Sequence, residues 1–287
     1  MEIIKTVAEM SRWVQEQRTK GHTLALVPTM GFFHEGHLSL MRRAGELVDR
    51  VIVSLFVNPS QFAAHEDLDA YPRAFARDAA LAEAEGVAVL FCPEVDDIYP
   101  PGFQTTVAVS ELTSKLCGKS RPHHFAGVTT VVAKLFNIVA PQYAVFGEKD
   151  FQQLAVIRRM VRDLNMQVSL VGHAIVREKD GLAISSRNAY LSKAERRQAL
   201  CLWHALQEAK ALVQAGERHS GRVAKRVRDV LLAHGPCQID YIELVNRDTL
   251  ERSSTIDHRV LLALAVRIGT TRLIDNACLL HGGDKNV

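Results

Sequence analysis

Two histidines, His34 and His37, stand three residues apart in a segment well suited to phosphate chemistry. A helical pattern begins near Leu38, and residues three apart at the start of a helix share one face. Free N–H groups and the positive end of the helix dipole favour a phosphate there. Gly36 lacks the Cβ that would keep a phosphate from the backbone. Two imidazoles in this place can donate hydrogen bonds to phosphate oxygens and neutralise charge developing at phosphorus.

The same pair could be a surface feature or two ligands of a metal ion, since histidines commonly ligate metals. No third ligand is obvious nearby in the sequence, and Gly31 forms a turn after an apolar run ending at Pro28. These two observations favour the phosphate interpretation.

Two more polar segments, 58–62 and 147–150, also follow apolar runs. Because ligands of an open α/β sheet bind beyond the carboxyl ends of its strands, we expect these segments to converge with 28–31 at one edge. Lys149 is then either a solvated lysine in a turn or a mobile charge on leaving phosphates.

Ser185, Ser186 and Arg187 form a further candidate site, because a guanidinium can bind phosphate oxygens with two hydrogen bonds. They could clamp a triphosphate at a junction between domains. An ordinary helix N-cap before Ser192 accounts for this segment equally well.

The elements that must position these residues alternate through the first part of the chain. Apolar runs predict strands at 24–27, 51–57, 87–91, 143–146 and 168–171. Periodic patterns predict helices at 38–48, 73–85, 128–139 and 151–164. Strands that are apolar on both faces suit a buried parallel sheet, so we expect an α/β fold with a Rossmann-like, doubly wound parallel sheet.

The later part of the chain has a different pattern. Helices are predicted at 192–215 and 221–234, followed by strands at 239–245, 260–266 and 271–274. Helices followed by consecutive strands predict a smaller α+β domain. We therefore expect domains at 1–176 and 177–287, with a frayed tail from residue 281.

The composition and net charge limit the classes of protein to which this chain can belong. Of the 287 residues, 47 % are hydrophobic and 23 % charged, as in globular proteins, and the net charge of +3 is too small for a nucleic-acid-binding face. Five scattered cysteines suggest neither a zinc site nor a disulfide framework. Since neither a signal peptide nor a membrane-spanning run is evident, we expect a cytoplasmic protein with no nucleic-acid or membrane partner.

These motifs together resemble the pantothenate synthetase (pantoate–β-alanine ligase) family, within the wider His-x-Gly-His nucleotidyltransferase group. The resemblance runs in order through most of the chain. It is carried by the segments 28–31, 34–37, 56–59, 61–62, 67–68, 71–73, 120–122, 124–125, 146–154, 180–183, 185–188 and 272–276, together with Arg177.

The resemblance implies an enzyme that condenses pantoate with β-alanine in a reaction that consumes ATP. Pantothenate, AMP and pyrophosphate would form through a pantoyl-adenylate intermediate, with Mg²⁺ accompanying ATP. It further implies a nucleotidyltransferase-type sheet, a second domain acting as a lid, and a homodimer.

The resemblance also assigns roles to residues. His37 is given the proton-donor role, and His34, Lys149 and Arg187 complete the catalytic group. ATP contacts are implied at Thr29, Met30, Gly31, His34, Gly36, His37, Gly147, Glu148, Lys149, Asp150, Val176, Ile184, Ser185, Ser186 and Arg187. Substrate contacts are implied at Asn58, Gln61, Tyr71, Arg121, His124 and Gln153, and a magnesium contact at Asp78.

The sequence departs from the family pattern at Phe32, Phe33, Ser60 and His123. His123 could crowd the pantoate side or extend a loop. A nucleotidylyltransferase is the alternative enzyme, but its phosphate acceptor requires extra Lys or Arg where Gln61 and Gln153 stand. A non-catalytic ATP-binding module is the alternative from another class, although it has no need of the catalytic group.

Overall fold

The protein is described by a computed structural model covering residues 1–63, 66 and 68–280. Asp67 of the family motif and the tail predicted to fray lie outside the described residues. The chain forms two compact units. The first unit contains residues 1–114, 118–148 and 156–175, and the second contains 115–117, 149–155 and residues from 176 onward.

The first unit is built on a six-stranded sheet in the order β1-β4-β3-β2-β5-β6. Every neighbouring pair of strands is parallel, so the predicted doubly wound sheet is confirmed. The strands are β1 (Glu2–Ile4), β2 (Leu24–Thr29), β3 (Arg50–Leu55), β4 (Val89–Phe91), β5 (Tyr143–Gly147) and β6 (Ser169–His173). Strand β2 pairs with β3 on one side and β5 on the other, so the chain order reverses beside β2. Ligands of such sheets bind at this reversal.

Helices connect these strands or follow them in sequence. They are α1 (Val7–Thr19), α2 (Glu35–Gly45), α3 (Phe75–Ala84), α4 (Val95–Ile98), α5 (Cys117–Ser120), α6 (His124–Val139) and α7 (Phe151–Asp163). Strand β1 and helix α1 were not predicted from the sequence, although Thr6 and Glu9 form a capping box at the start of α1 that is readable as Thr-x-x-Glu. Strand β1 was not predicted because its apolar run, Ile3-Ile4, is only two residues long.

Among the described residues, up to residue 280, the second unit packs helices on a three-stranded antiparallel sheet. Its elements are α8 (Lys193–Gln198), α9 (Leu200–Gln214), α10 (Ser220–Ala233), β7 (Gln238–Asn246), β8 (Val260–Ile268) and β9 (Thr271–Cys278). The α+β prediction is thus confirmed. The single helix predicted from Ser192 was wrong, because α8 ends before Ala199 and α9 begins after it.

None of the helices among the described residues is long and apolar enough to cross a membrane.

Candidate active site

His34 and His37 lie where the sequence predicted, at the start of the helix that follows β2. The helix begins at Glu35 rather than Leu38, so His34 is its N-cap residue and His37 lies in its first turn. Their rings stack with centroids 4.0 Å apart and planes 23° apart. The two imidazoles therefore form one surface at the positive end of the helix dipole.

Gly36 makes this stacking possible. A Cβ built on Gly36 would lie 3.0 Å from the His34 ring atoms Cε1 and Nδ1. The missing side chain thus gives room to a histidine ring as well as to the phosphate that the sequence predicts. Both consequences favour glycine here.

The loop between β2 and α2 is held by a carboxylate from α3. Asp78 is 1 % exposed, and its oxygens accept hydrogen bonds from the backbone N–H groups of Phe32 and Phe33, at 2.6 and 2.8 Å. Phe32 has a φ of +53°, a left-handed conformation that disfavours a bulky residue. Gly31 has a φ of +85°, and a Cβ there would lie 3.2 Å from Asp78 Oδ2. Asp78 therefore fixes a strained loop directly before the two histidines.

This geometry does not favour Asp78 as a direct magnesium ligand. Both of its oxygens already accept backbone hydrogen bonds, and its side chain is buried. The described residues contain no group of three or more His, Cys, Asp or Glu side chains arranged to hold a metal ion. Mg²⁺ usually binds through one or two carboxylates together with substrate phosphates, so a preformed protein cage is not required.

Thr29, an expected ATP contact, has its hydroxyl engaged within the protein. The hydroxyl donates to the carbonyl of Ser54 at 2.7 Å and accepts from the N–H of Gly31 at 3.2 Å. It therefore links the ends of β2 and β3 to the loop that follows.

Gln61 and Met30 come together although they follow different strands. Gln61 Nε2 lies 2.7 Å from Met30 Sδ, and Gln61 Oε1 lies 3.3 Å from Asn58 Nδ2. Asn58 is 1 % exposed and also donates to the carbonyl of Gly127 at 3.1 Å. Its Oδ1 accepts from the Tyr99 hydroxyl at 2.9 Å. The carboxamide of Asn58 therefore orients Gln61, while Gln61 has the more open place.

Arg121 and His124 hold the backbone of Gln61. The carbonyl of Gln61 accepts from His124 Nδ1 at 2.9 Å and from Arg121 Nη2 at 3.3 Å. Arg121 also makes a two-bond ion pair with Glu66, at 2.6 and 2.7 Å. Burial raises the pKa of the Glu66 carboxyl, but hydrogen bonding to Arg121 and its charge outweigh burial and leave the pKa below its ordinary value.

Glu66 and Gly127 are functional candidates that the sequence analysis missed. A Cβ on Gly127 would lie 2.4 Å from the carbonyl oxygen of Ser60, so only glycine lets α6 approach the turn that carries Gln61. The only available signal was their proximity in sequence to named motifs. Tyr71 is 6 % exposed and packs its ring edgewise against Phe62, at 6.1 Å.

Each residue at which the sequence departs from the family has a defined place in the structure. Phe33 is fully buried in the core, and its ring lies 5.6 Å from that of His37. Phe32 lies under the Arg77 guanidinium at 5.4 Å. His123 is exposed before the first residue of α6, which fits the interpretation that it extends a loop. The Ser60 hydroxyl bonds to Asn58 Oδ1 at 2.9 Å.

Segment 147–150 continues β5 as predicted, with Gly147 at the end of the strand and Glu148–Asp150 forming a short 3₁₀ helix. In the second unit, Lys149 Nζ lies 3.8 Å from Asp150 Oδ2. Gln153 is partly exposed, whereas its neighbour Gln152 is buried and bonds to the backbone of residues 115 and 117 at 2.6 and 2.9 Å. Of two adjacent glutamines, Gln152 is thus structural and Gln153 remains accessible.

The other predicted ATP contacts of the second unit lie on one short hairpin and the turn after it. The N–H of Ile184 donates to the carbonyl of Val176 at 3.0 Å, which brings these two residues together. Ser185 then caps a 3₁₀ helix, accepting from the N–H of Arg187 at 3.3 Å. Ser185 therefore caps this short 3₁₀ helix and places Ser186 and Arg187 in its first turn, whereas α8 is capped by Ser192 itself.

A parallel α/β sheet, with paired histidines at a helix start beside its reversal point, defines an enzyme of the ATP-using, nucleotide-binding class. Comparison with known proteins makes this more specific. The sequence profile of pantoate–β-alanine ligase matches residues 2–278. The pantothenate synthetase of Desulforapulum autotrophicum is 56 % identical over 276 residues, covering 96 % of this chain and 98 % of that protein.

Solved structures agree with this result. The crystal structure of pantothenate synthetase from Thermus thermophilus superimposes with a TM-score of 0.93 at 43 % identity, covering 97 % of this chain and 99 % of that one. The pantoate–β-alanine ligase of Francisella tularensis, crystallised with β,γ-ATP and β-alanine, gives 0.82 at 31 % identity, covering 98 % and 99 %. The chain belongs to the pantoate–β-alanine ligase family, which confirms the predicted ATP-using ligase and its reaction.

Proposed function

We propose that this chain binds ATP and pantoate at the carboxyl edge of the first unit's sheet and joins pantoate to β-alanine through a pantoyl adenylate. The observation that carries the proposal is the stacked pair His34 and His37 at the N-terminus of α2. Gln61 and Met30 meet at the ends of the neighbouring strands, which supports a carboxylate-containing substrate beside the nucleotide. The amide of Gln61 can both donate to and accept from pantoate.

The reaction proceeds in two displacements. The pantoate carboxylate attacks the α-phosphorus of ATP, and the bond to pyrophosphate breaks as the new P–O bond forms. The amine of β-alanine then attacks the acyl carbon, loses a proton and expels AMP. Each step requires charge to be neutralised on phosphate oxygens, and preorganised donors provide this most effectively.

His34 and His37 suit this task because their stacked rings lie side by side at the start of α2, where the helix dipole also favours negative charge. From this place His37 can donate a hydrogen bond or a proton as the α-phosphate gains charge.

In the second unit, Lys149 and Arg187 neutralise the departing pyrophosphate. Lys149 acts as a point charge, and Arg187 binds phosphate oxygens through two parallel hydrogen bonds. Val176 and Ile184, which a backbone hydrogen bond brings together, contribute to the binding of ATP. Gln153, whose side chain is partly exposed, contributes to pantoate binding.

Three finer points complete the proposal. ATP-using ligases generally need a divalent metal, and Mg²⁺ bound to the triphosphate withdraws charge from its oxygens. The family and the five free cysteines support a cytoplasmic enzyme. The predicted homodimer stays a prediction, which the mass in solution by light scattering checks.

Exchange of labelled pyrophosphate into ATP tests the adenylate route. We expect exchange with pantoate alone, without β-alanine, and a fall of roughly 100-fold in the His37→Ala variant because a transition-state donor is lost. Exchange that requires β-alanine contradicts the intermediate. An unchanged rate of single-turnover adenylation in His37→Ala removes that residue from the mechanism.

A further inference from the structure

Strand β9 carries two adjacent buried polar residues, Asp275 and Asn276, which are 2 % and 7 % exposed. They belong to segment 272–276, which resembles the family but has no assigned role in the reaction. Burying a polar group is unfavourable unless it is hydrogen-bonded, so the partners of these side chains indicate what they hold in place.

Asn276 holds the backbone of Lys149. Its side-chain Nδ2 donates to the carbonyl of Lys149 at 3.0 Å. This bond fixes the main chain at the base of a long, flexible side chain that is 20 % exposed. Asn276 therefore sets the backbone position from which the Lys149 side chain extends.

Asp275 holds the hairpin that leads to Arg187. Its two oxygens accept from Arg177 at 2.7 and 2.9 Å, and Arg177 Nη1 also donates to the carbonyl of Gly181 at 3.0 Å. The guanidinium of Arg177 lies 4.5 Å from the centre of the Trp203 ring.

The turn of this hairpin is equally restrained. Gly181 has a φ of +100°, and a Cβ there would lie 2.3 Å from the Trp203 ring. The other end of the hairpin closes with the bond from Ile184 to Val176, and Arg187 follows three residues later. Asp275 therefore anchors the segment whose end carries the second cation.

We propose that Asp275 and Asn276 are positioning residues for adenylation: Asn276 positions the segment of Lys149, and Asp275 positions the segment that leads to Arg187. Consecutive residues of a strand lie about 3.3 Å apart along it, so a single rigid element holds both segments. The inference rests on the proposed roles of Lys149 and Arg187. Neither Asp275 nor Asn276 is assigned a contact with substrate, so each acts through the segment that it anchors.

Double-mutant cycles on the rate of single-turnover adenylation test this proposal. We expect Asn276→Ala to lower the rate about 10- to 100-fold, because a displacement of about 1 Å of a catalytic group can slow a reaction about 100-fold. In a Lys149→Met background the same substitution should lower it less than about twofold, since effects of residues that act as one unit are not additive. In an Arg187→Ala background it should retain its full effect.

Asp275→Asn provides the matched cycle, in which we expect the effect to depend on Arg187 and not on Lys149. It keeps the shape of the side chain, and its effect should vanish in the Arg187→Ala background and persist in Lys149→Met. Rates are compared well below the lowest melting temperature of the set. If Asn276→Ala does not fold, Asn276→Ser, which keeps a shorter donor, replaces it.

Additive effects in both cycles overturn the positioning role and reduce Asp275 and Asn276 to structural residues, while the roles of Lys149 and Arg187 stand. If Lys149→Met and Arg187→Ala by themselves leave the adenylation rate unchanged, the proposed function of these cations fails as well. The proposal is supported if the effects are non-additive for Asn276 with Lys149 and for Asp275 with Arg187, and additive for the two crossed pairs.

Discussion

Replacement of Asp78 by asparagine tests how the loop before the histidines is held. The carboxylate accepts two short backbone hydrogen bonds, from Phe32 at 2.6 Å and Phe33 at 2.8 Å. Asn at this position keeps one acceptor oxygen and turns an NH₂ group toward a backbone N–H donor. One bond is therefore lost and a repulsive contact is created in a buried place.

The expected magnitude follows from these contacts. Hydrogen bonds to a charged group contribute about 1.5–3 kcal/mol each, and a neutral bond about 1 kcal/mol, so the net loss is about 2–5 kcal/mol. The left-handed conformation of Phe32 disfavours the loop by about 1–2 kcal/mol, so the loop should relax once it is released. If about 2 kcal/mol of the loss appears in the activation free energy, adenylation slows about 30-fold.

The assay is single-turnover formation of the adenylate, together with the free energy of unfolding. Asp97→Asn is the matched control, because Asp97 Oδ2 also accepts a backbone N–H, that of Glu94 at 3.1 Å, but at the cap of α4. Only Asp78→Asn should slow the reaction.

The magnesium dependence separates the two roles considered for Asp78. If Asp78 positions the loop, the Mg²⁺ concentration at half-maximal rate stays the same in Asp78→Asn. A large increase in that concentration supports direct ligation instead. A rate within threefold of the parent protein, or an equal loss in Asp97→Asn, refutes the reasoning from the loop.

Two further outcomes are expected. Gly127→Ala should raise the KM for pantoate and destabilise the fold by about 1–3 kcal/mol through overpacking, because the new Cβ would lie 2.4 Å from the carbonyl oxygen of Ser60. Gly45→Ala is the control and should have neither effect, because the nearest atom to its new Cβ would be 4.0 Å away. The pKa of Glu66 is held below its ordinary 4.5, so its ion pair with Arg121 stabilises the protein above pH 4.5 and is lost as the pH falls through the lowered pKa. Unfolding free energies measured against pH should therefore converge for the parent and Glu66→Gln below pH 4.5, and parallel curves would contradict this origin.

The sequence located the strands and the loops after them because these depend on local patterns. The runs at 24–27 and 143–146 are apolar on both faces, which is typical of buried parallel strands. The ends of the helices were harder to predict. Helix α2 begins at Glu35 because His34 is its N-cap residue, and histidine is not among the residue types preferred at an N-cap. The break at Ala199 was also hidden, since the residues around it are good helix formers.

Roles of individual polar residues were harder to predict than their membership of the site. Gln152 and Gln153 look equivalent in sequence, yet burial makes one an anchor and leaves the other partly exposed. Asn58 was expected to touch substrate, but its carboxamide is engaged with Gly127 and Tyr99.

By itself, the sequence determined that His34, Gly36 and His37 begin a helix after a buried strand, since spacing and glycine placement act locally. Only the tertiary structure decided that Asp78 holds the loop before them and that Asn276 anchors Lys149. The physical reason is separation along the sequence, because those hydrogen bonds join residues that are 46 and 127 positions apart. No local pattern encodes such partners, because they are selected by the packing that buries them.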